Sequence, residues 1–110
     1  MNPAISNGVK RRVVVTGLGV ISSIGNTLED FLRHLKHGVA GKDPVEITDA
    51  SGHRFPPVFR VRNFDAHKYG THILDPFIQY AVAAADAAVQ DASFDIKAVD
   101  PYSVGLSVSS

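Results

Sequence analysis

The stretch LDPFIQYAVAAADAAVQDA, from Leu74 to Ala92, constrains this chain more than any other. Asp75 is a helix N-capping residue type, and Pro76 follows at the first helical position, where a missing N–H breaks no intrahelical bond. Beyond it the sequence is apolar almost all round: only Gln79, Asp86 and Gln90 form a thin polar line. A helix of that kind is stable in water only when most of its sides are covered. Its many alanines permit close approach of another backbone. Within 110 residues there is too little other chain to cover it. The sequence therefore predicts a helix inside a larger folded body, or one that pairs with another chain.

A second helix is predicted in NTLEDFLRHLKHG. Asn26 is its expected N-cap, with Glu29 three residues on completing a capping box. Leu28, Phe31, Leu32 and Leu35 fall on one apolar face. Lys36 and His37 sit at the negative end of the helix dipole, and Gly38 supplies a left-handed stop. Three segments read as strands. Val13 to Val15 is a β-branched run ended by Gly17. In Val58 to Phe64, Phe59 and Val61 alternate with Arg60 and Arg62, giving one apolar and one wet face. Val104, Leu106 and Val108 alternate with smaller residues. Loops join these elements at 41–57 and through His67, Tyr69 and Gly70. The order β-α-β-α-β predicts an α/β layered sheet. Residues 1–10 are expected to be a flexible leader, and 11–110 a single segment that is incomplete as a domain.

Bulk properties narrow the function classes. Hydrophobic residues make up 45% and charged residues 20%, the balance of a soluble globular protein. Eleven basic and eleven acidic residues give zero net charge, so a nucleic-acid or anionic-membrane surface is not expected. No apolar run reaches the ~18 residues of a membrane span, and no signal peptide is evident. A cytoplasmic location fits. The chain has no cysteine, hence no disulfide framework, thiolate metal site or cysteine nucleophile of its own.

Gly17, Gly19 and Gly25 invite comparison with a phosphate-cradling loop. A dinucleotide fingerprint needs its third glycine where Ser22 stands, and Gly25 comes three residues late. The acidic residues further on, Asp43 and Glu46, fall in a loop, and no Gly-Lys-Ser/Thr follows. A tight turn with close helix packing is the simpler reading, and a nucleotide-binding module the alternative. His34 and His37 have a spacing that can bind metal, but a solvent-facing helix end explains them; His53, His67 and His72 read as surface histidines. Ser22, Ser23, Ser109 and Ser110 lack a nucleophile-elbow setting. Arg60 and Arg62 read as a wet strand face, with a partner contact as the alternative. No cofactor or metal is expected.

RRVVVTGLGVISSIGNTLEDFLRHLKHGVAG resembles the opening of the β-ketoacyl-acyl-carrier-protein synthases, with Ser23 and Ile24 where that family has proline. The Leu74–Ala92 stretch resembles the family's Met-Asp-x-Phe-Ile-Gln-Tyr-Ala helix, with Leu74 for Met. Val104 to Ser110 resembles the strand leading to its Gly-Ser-Gly turn. The three blocks occur in the family's order and span about Lys10 to Ser110, with the elongating enzymes of dissociated (type II) systems as nearest in kind.

The resemblance implies a thiolase-like layered α/β fold and decarboxylative Claisen condensation of acyl and malonyl thioesters, in fatty-acid or polyketide biosynthesis. It puts the catalytic cysteine and two histidines in later parts of the family sequence, so no position here takes their roles and the segment is scaffold. It implies an acyl-pocket wall near Ser109 and Ser110. It implies docking of an acidic acyl carrier protein just before the second helix, where this chain has KYGTHILD: Lys68 is basic and His72 can be, but Tyr69, Gly70, Thr71 and Ile73 are not. Either docking uses other residues or the partner differs. Ile73, Leu74 and Phe77 are candidates for a subunit interface, in a homodimer or a ketosynthase-like heterodimer. The remaining part of the same enzyme is a further expected partner. The alternative is a non-catalytic companion subunit resembling a chain-length factor.

Overall fold

The computed structural model describes residues 11–43 and 47–109. The expected leader at 1–10, Glu46 and Ser110 lie outside the described residues. Two α-helices form where the sequence predicts them: α1, Leu28–Lys36, and α2, Pro76–Asp91.

The start of α1 is one residue later than expected. Thr27 is the N-cap: its Oγ1 accepts the Asp30 N–H at 3.1 Å. Asn26 instead donates its Nδ2–H to the carbonyl of Arg62 at 2.6 Å. Both residue types cap helices, and the distant carbonyl decides between them. The end of α1 is as predicted, with Gly38 at φ +65. In α2, Asp75 holds the N-cap position with extended backbone angles but makes no side-chain capping bond, and Pro76 opens the helix. Of the polar line, Gln90 Nε2 donates to Asp86 Oδ2 at 2.7 Å.

The three predicted strands are a correction. Among the described residues no strand forms; there are only isolated antiparallel bridges, Ser22 with Gly25 and Thr48 with Arg54. Val13 is 92% exposed and Leu106 85% exposed. Alternation and β-branching favour an extended backbone, but a strand exists only in a ladder, and among the described residues none of these segments has a neighbour that continues one; the bond from Asp43 N–H to the Val58 carbonyl stands alone. The core is correspondingly small. Ala83 on α2, 1% exposed, is the only buried hydrophobic residue among those described. The surface is 9603 Å², against about 5900 Å² for a compact protein of this mass. The radius of gyration is 19.9 Å, where about 13 Å is usual.

What holds the N-terminal segment is contact between backbones. Gly17 and Gly19 lie directly on α2. A Cβ added to Gly17 would stand 2.6 Å from the Ala92 nitrogen, and one on Gly19 2.8 Å from the Ala88 nitrogen. Asp91 fastens the same crossing, its Oδ2 accepting the Leu18 N–H at 2.9 Å. Segment 39–43 is clamped to 58–62: Asp43 N–H donates to the Val58 carbonyl at 2.7 Å, Arg60 Nε to Asp43 Oδ2 at 2.6 Å, and Arg62 Nη2 to the Lys42 carbonyl at 2.6 Å. The hydrogen bond from Arg60 to the Asp43 carboxylate raises the guanidinium pKa further above its ordinary value.

A small hairpin follows around Asp49. Its Oδ1 accepts from the Ser51 hydroxyl at 2.6 Å and from the His53 N–H at 2.9 Å. These bonds, the Ser51 hydroxyl first, lower the Asp49 pKa below the usual carboxylate value. A carboxylate depressed in the folded state stabilises above its unfolded pKa, and that contribution is lost as pH falls through the folded one. The Asp49 carboxyl is therefore expected to titrate by NMR below about 3.9, and Ser51→Ala to move it back towards that value. A titration unchanged by Ser51→Ala would refute the role of the hydroxyl.

Candidate functional site

The best-built surface feature is the turn between Phe64 and α2. Asp65 caps a single 3-10 turn, Ala66–Tyr69, its Oδ1 accepting the His67 N–H at 3.0 Å. Gly70, at φ +66, reverses the chain and donates its N–H to the His67 carbonyl at 3.1 Å. Thr71 is buried and closes the loop, its N–H reaching the Ala66 carbonyl at 3.1 Å. Three aromatic rings attach the turn to α2: Phe64 stacks on Tyr69, centroids 5.8 Å apart, and meets Tyr80 edge-on at 5.0 Å. The backbone thus has a fixed shape, and what it displays is held in place.

It displays His67, Lys68 and His72, all exposed. The rings of His67 and His72 stack with centroids 4.2 Å apart and planes within 17°. Lys68 Nζ lies 5.3 Å from the Tyr69 ring centroid, within cation–π range. Lys68 and His72 were expected here from sequence. His67 was not: it sits five residues from His72, and only the reversal at Gly70 brings the rings together. Ile73, 83% exposed, and Phe77, 52% exposed, form with Leu74 an apolar shoulder beside the turn. Ser109 is exposed and outside any helix. Arg60 and Arg62 are engaged with segment 42–43.

The other candidate sites resolve into packing. The Leu18 N–H points to a carboxylate and α2 backbone abuts Gly17 and Gly19, so a phosphate there would meet a negative charge and no space. At Gly25 a Cβ would stand 2.6 Å from the Phe31 nitrogen. His34 Nδ1–H donates to the Ile24 carbonyl, and His37 Nδ1–H to the Arg33 carbonyl at 2.6 Å; each ring is oriented by a different backbone group. Among the described residues no cluster of three His, Asp or Glu side chains is placed to hold a metal ion, and no helix is long and apolar enough to cross a membrane. A cavity of about 420 Å³ lies between the 22–25 turn, α1 and Arg62. In its lining, Asn26 Oδ1 is buried with no hydrogen-bond partner among the described residues.

Residues 10–110 match the family described as "Beta-ketoacyl synthase, N-terminal domain". The 3-oxoacyl-[acyl-carrier-protein] synthase 2 of Synechocystis sp. is 36% identical over 106 residues, 93% of this chain and 26% of that protein. The protein of the same name from Vibrio harveyi is 35% identical over 105 residues, covering 92% and 25%. That of Staphylococcus aureus (strain COL) is 32% identical over 104 residues, covering 91% and 25%. The chain spans about a quarter of the length of these curated relatives. With residues 10–110 matched to one family, the chain belongs to the β-ketoacyl synthase family, the match falling in the family's N-terminal domain.

Proposed function

We propose that this chain is the N-terminal scaffold of a β-ketoacyl-acyl-carrier-protein synthase, an acyltransferase of fatty-acid or polyketide biosynthesis acting in the cytoplasm. The observation that carries the reading is the unbroken family match from residue 10 to 110. In this reaction a cysteine thiolate takes the acyl group from a carrier thioester, releasing the carrier thiol. Loss of carbon dioxide from a malonyl thioester leaves a carbanion equivalent, which attacks the acyl-enzyme. The new carbon–carbon bond gives a 3-oxoacyl carrier and frees the thiolate. Residues 1–110 contain no cysteine, so in this reading the nucleophile comes from polypeptide beyond them; the family resemblance puts its two histidines there as well, and the chain alone is inactive. The exposed apolar flank and the Asn26 Oδ1, without a partner among the described residues, support further polypeptide packing here in the layered α/β arrangement.

In this reading Lys68 and His72 contact the acyl carrier protein, Ser109 and Ser110 adjoin the acyl pocket, and Ile73, Leu74 and Phe77 meet a second ketosynthase-like subunit. Ile73→Glu with Phe77→Glu is expected to weaken dimerisation at least ~30-fold, as for two central apolar anchors. Sedimentation equilibrium reads it, and an unchanged dimer would remove these residues from the interface. The activity is tested by incubating the full-length protein with acyl-carrier and malonyl-carrier substrates. Formation of 3-oxoacyl carrier supports the enzyme. Carrier binding without product supports the second reading, a non-catalytic companion subunit, which the single permanent cation in the docking turn favours.

A further inference from the structure

We infer that the stacked His67–His72 pair makes docking at this turn proton-linked, so that an acidic protein surface binds more tightly as pH falls. The inference rests on the carrier-docking reading above and identifies how a turn with one permanent cation, Lys68, acquires a second. Histidine is the side chain whose ordinary charge change lies between about pH 5 and 8. Here two imidazoles face each other across 4.2 Å. Like charges on both rings at that range would repel.

The surroundings set the sign. The turn carries Asp65, Lys68 and Tyr69, and the adjoining end of α2 brings Asp75 and Tyr80. Asp65 is already engaged by the His67 N–H. A carboxylate arriving from a partner favours the protonated imidazole, so docking draws in a proton, and lowering pH promotes docking. Protonation of the partner's carboxylates would act oppositely, but only well below this range. Because Thr71, Gly70 and the Phe64–Tyr69–Tyr80 cluster already fix the turn, the rings are presented without further ordering.

The experiment is titration of the full-length protein with purified acyl carrier protein at about pH 6 and pH 8. The expected result is affinity about three- to tenfold tighter at the lower pH, with net uptake of up to about one proton per complex. His67→Gln with His72→Gln is expected to abolish the pH dependence, leaving the weaker affinity at both values. His67→Arg with His72→Arg is expected to bind tightly at both. Equal wild-type affinity at the two pH values, or pH dependence retained by the Gln pair, would overturn the inference while leaving carrier docking intact. No binding by wild type and Arg pair alike would overturn the docking reading and the inference together.

Discussion

Gly19→Ala is expected to destabilise the protein by about 3 kcal/mol or more, at the severe end of overpacking. The new Cβ would overlap the Ala84 carbonyl and stand 2.8 Å from the Ala88 nitrogen. Both are helix backbone, so no rotamer change relieves the clash; the segment must lift off α2. That would also break the Leu18 N–H to Asp91 bond. Gly38→Ala is the informative contrast: nothing lies within 4 Å, and only φ +65 resists it, a cost of about 1 kcal/mol. Urea unfolding of the full-length protein measures both. Similar values for the two variants would mean that close contact with α2 does not hold the N-terminal segment.

Phe64→Ala is expected to cost about 2–3 kcal/mol, from a half-buried ring and two aromatic pairings. The loss would be local before it is global. Without Phe64, Tyr69 and Tyr80 no longer connect through a shared ring, and the turn is held to α2 mainly by backbone. Amide exchange at Gly70 and Thr71 is therefore expected to accelerate at least ~10-fold, with weaker carrier binding. Phe64→Leu keeps apolar bulk but loses the ring pairing, and should fall in between. Unchanged exchange at Gly70 and Thr71 in Phe64→Ala would show that the turn needs no aromatic anchor.

Much of this was legible in the sequence, and the exceptions share a cause. Pro76 and Gly38 mark helix ends by local chemistry, and both ends are where that chemistry puts them. Gly17 and Gly19 read as residues for close helix packing, and α2 does lie against them. The cap of α1 was misplaced by one residue because Asn26 and Thr27 are both capping types and the deciding partner, the Arg62 carbonyl, is 36 residues away. The strands failed for the same reason in larger form. Val13–Val15 and Val104–Val108 encode an extended backbone and an apolar face, but not which neighbour completes the ladder. The His67–His72 stack had a local signal in Asp65 and Gly70, the cap and the left-handed residue of a tight turn, which places residues on either side of Gly70 together.

The central claim is that these extended segments belong to a sheet completed by further polypeptide. Hydrogen exchange at Val13–Val15 and Val104–Val108 tests it most directly, comparing the isolated 110-residue chain with the full-length protein. The account predicts exchange near the unprotected rate in the isolated chain, and strong protection of both segments in the full-length protein. Exchange that is equally fast in both would contradict it, because these residues would then pair with nothing even in the complete fold.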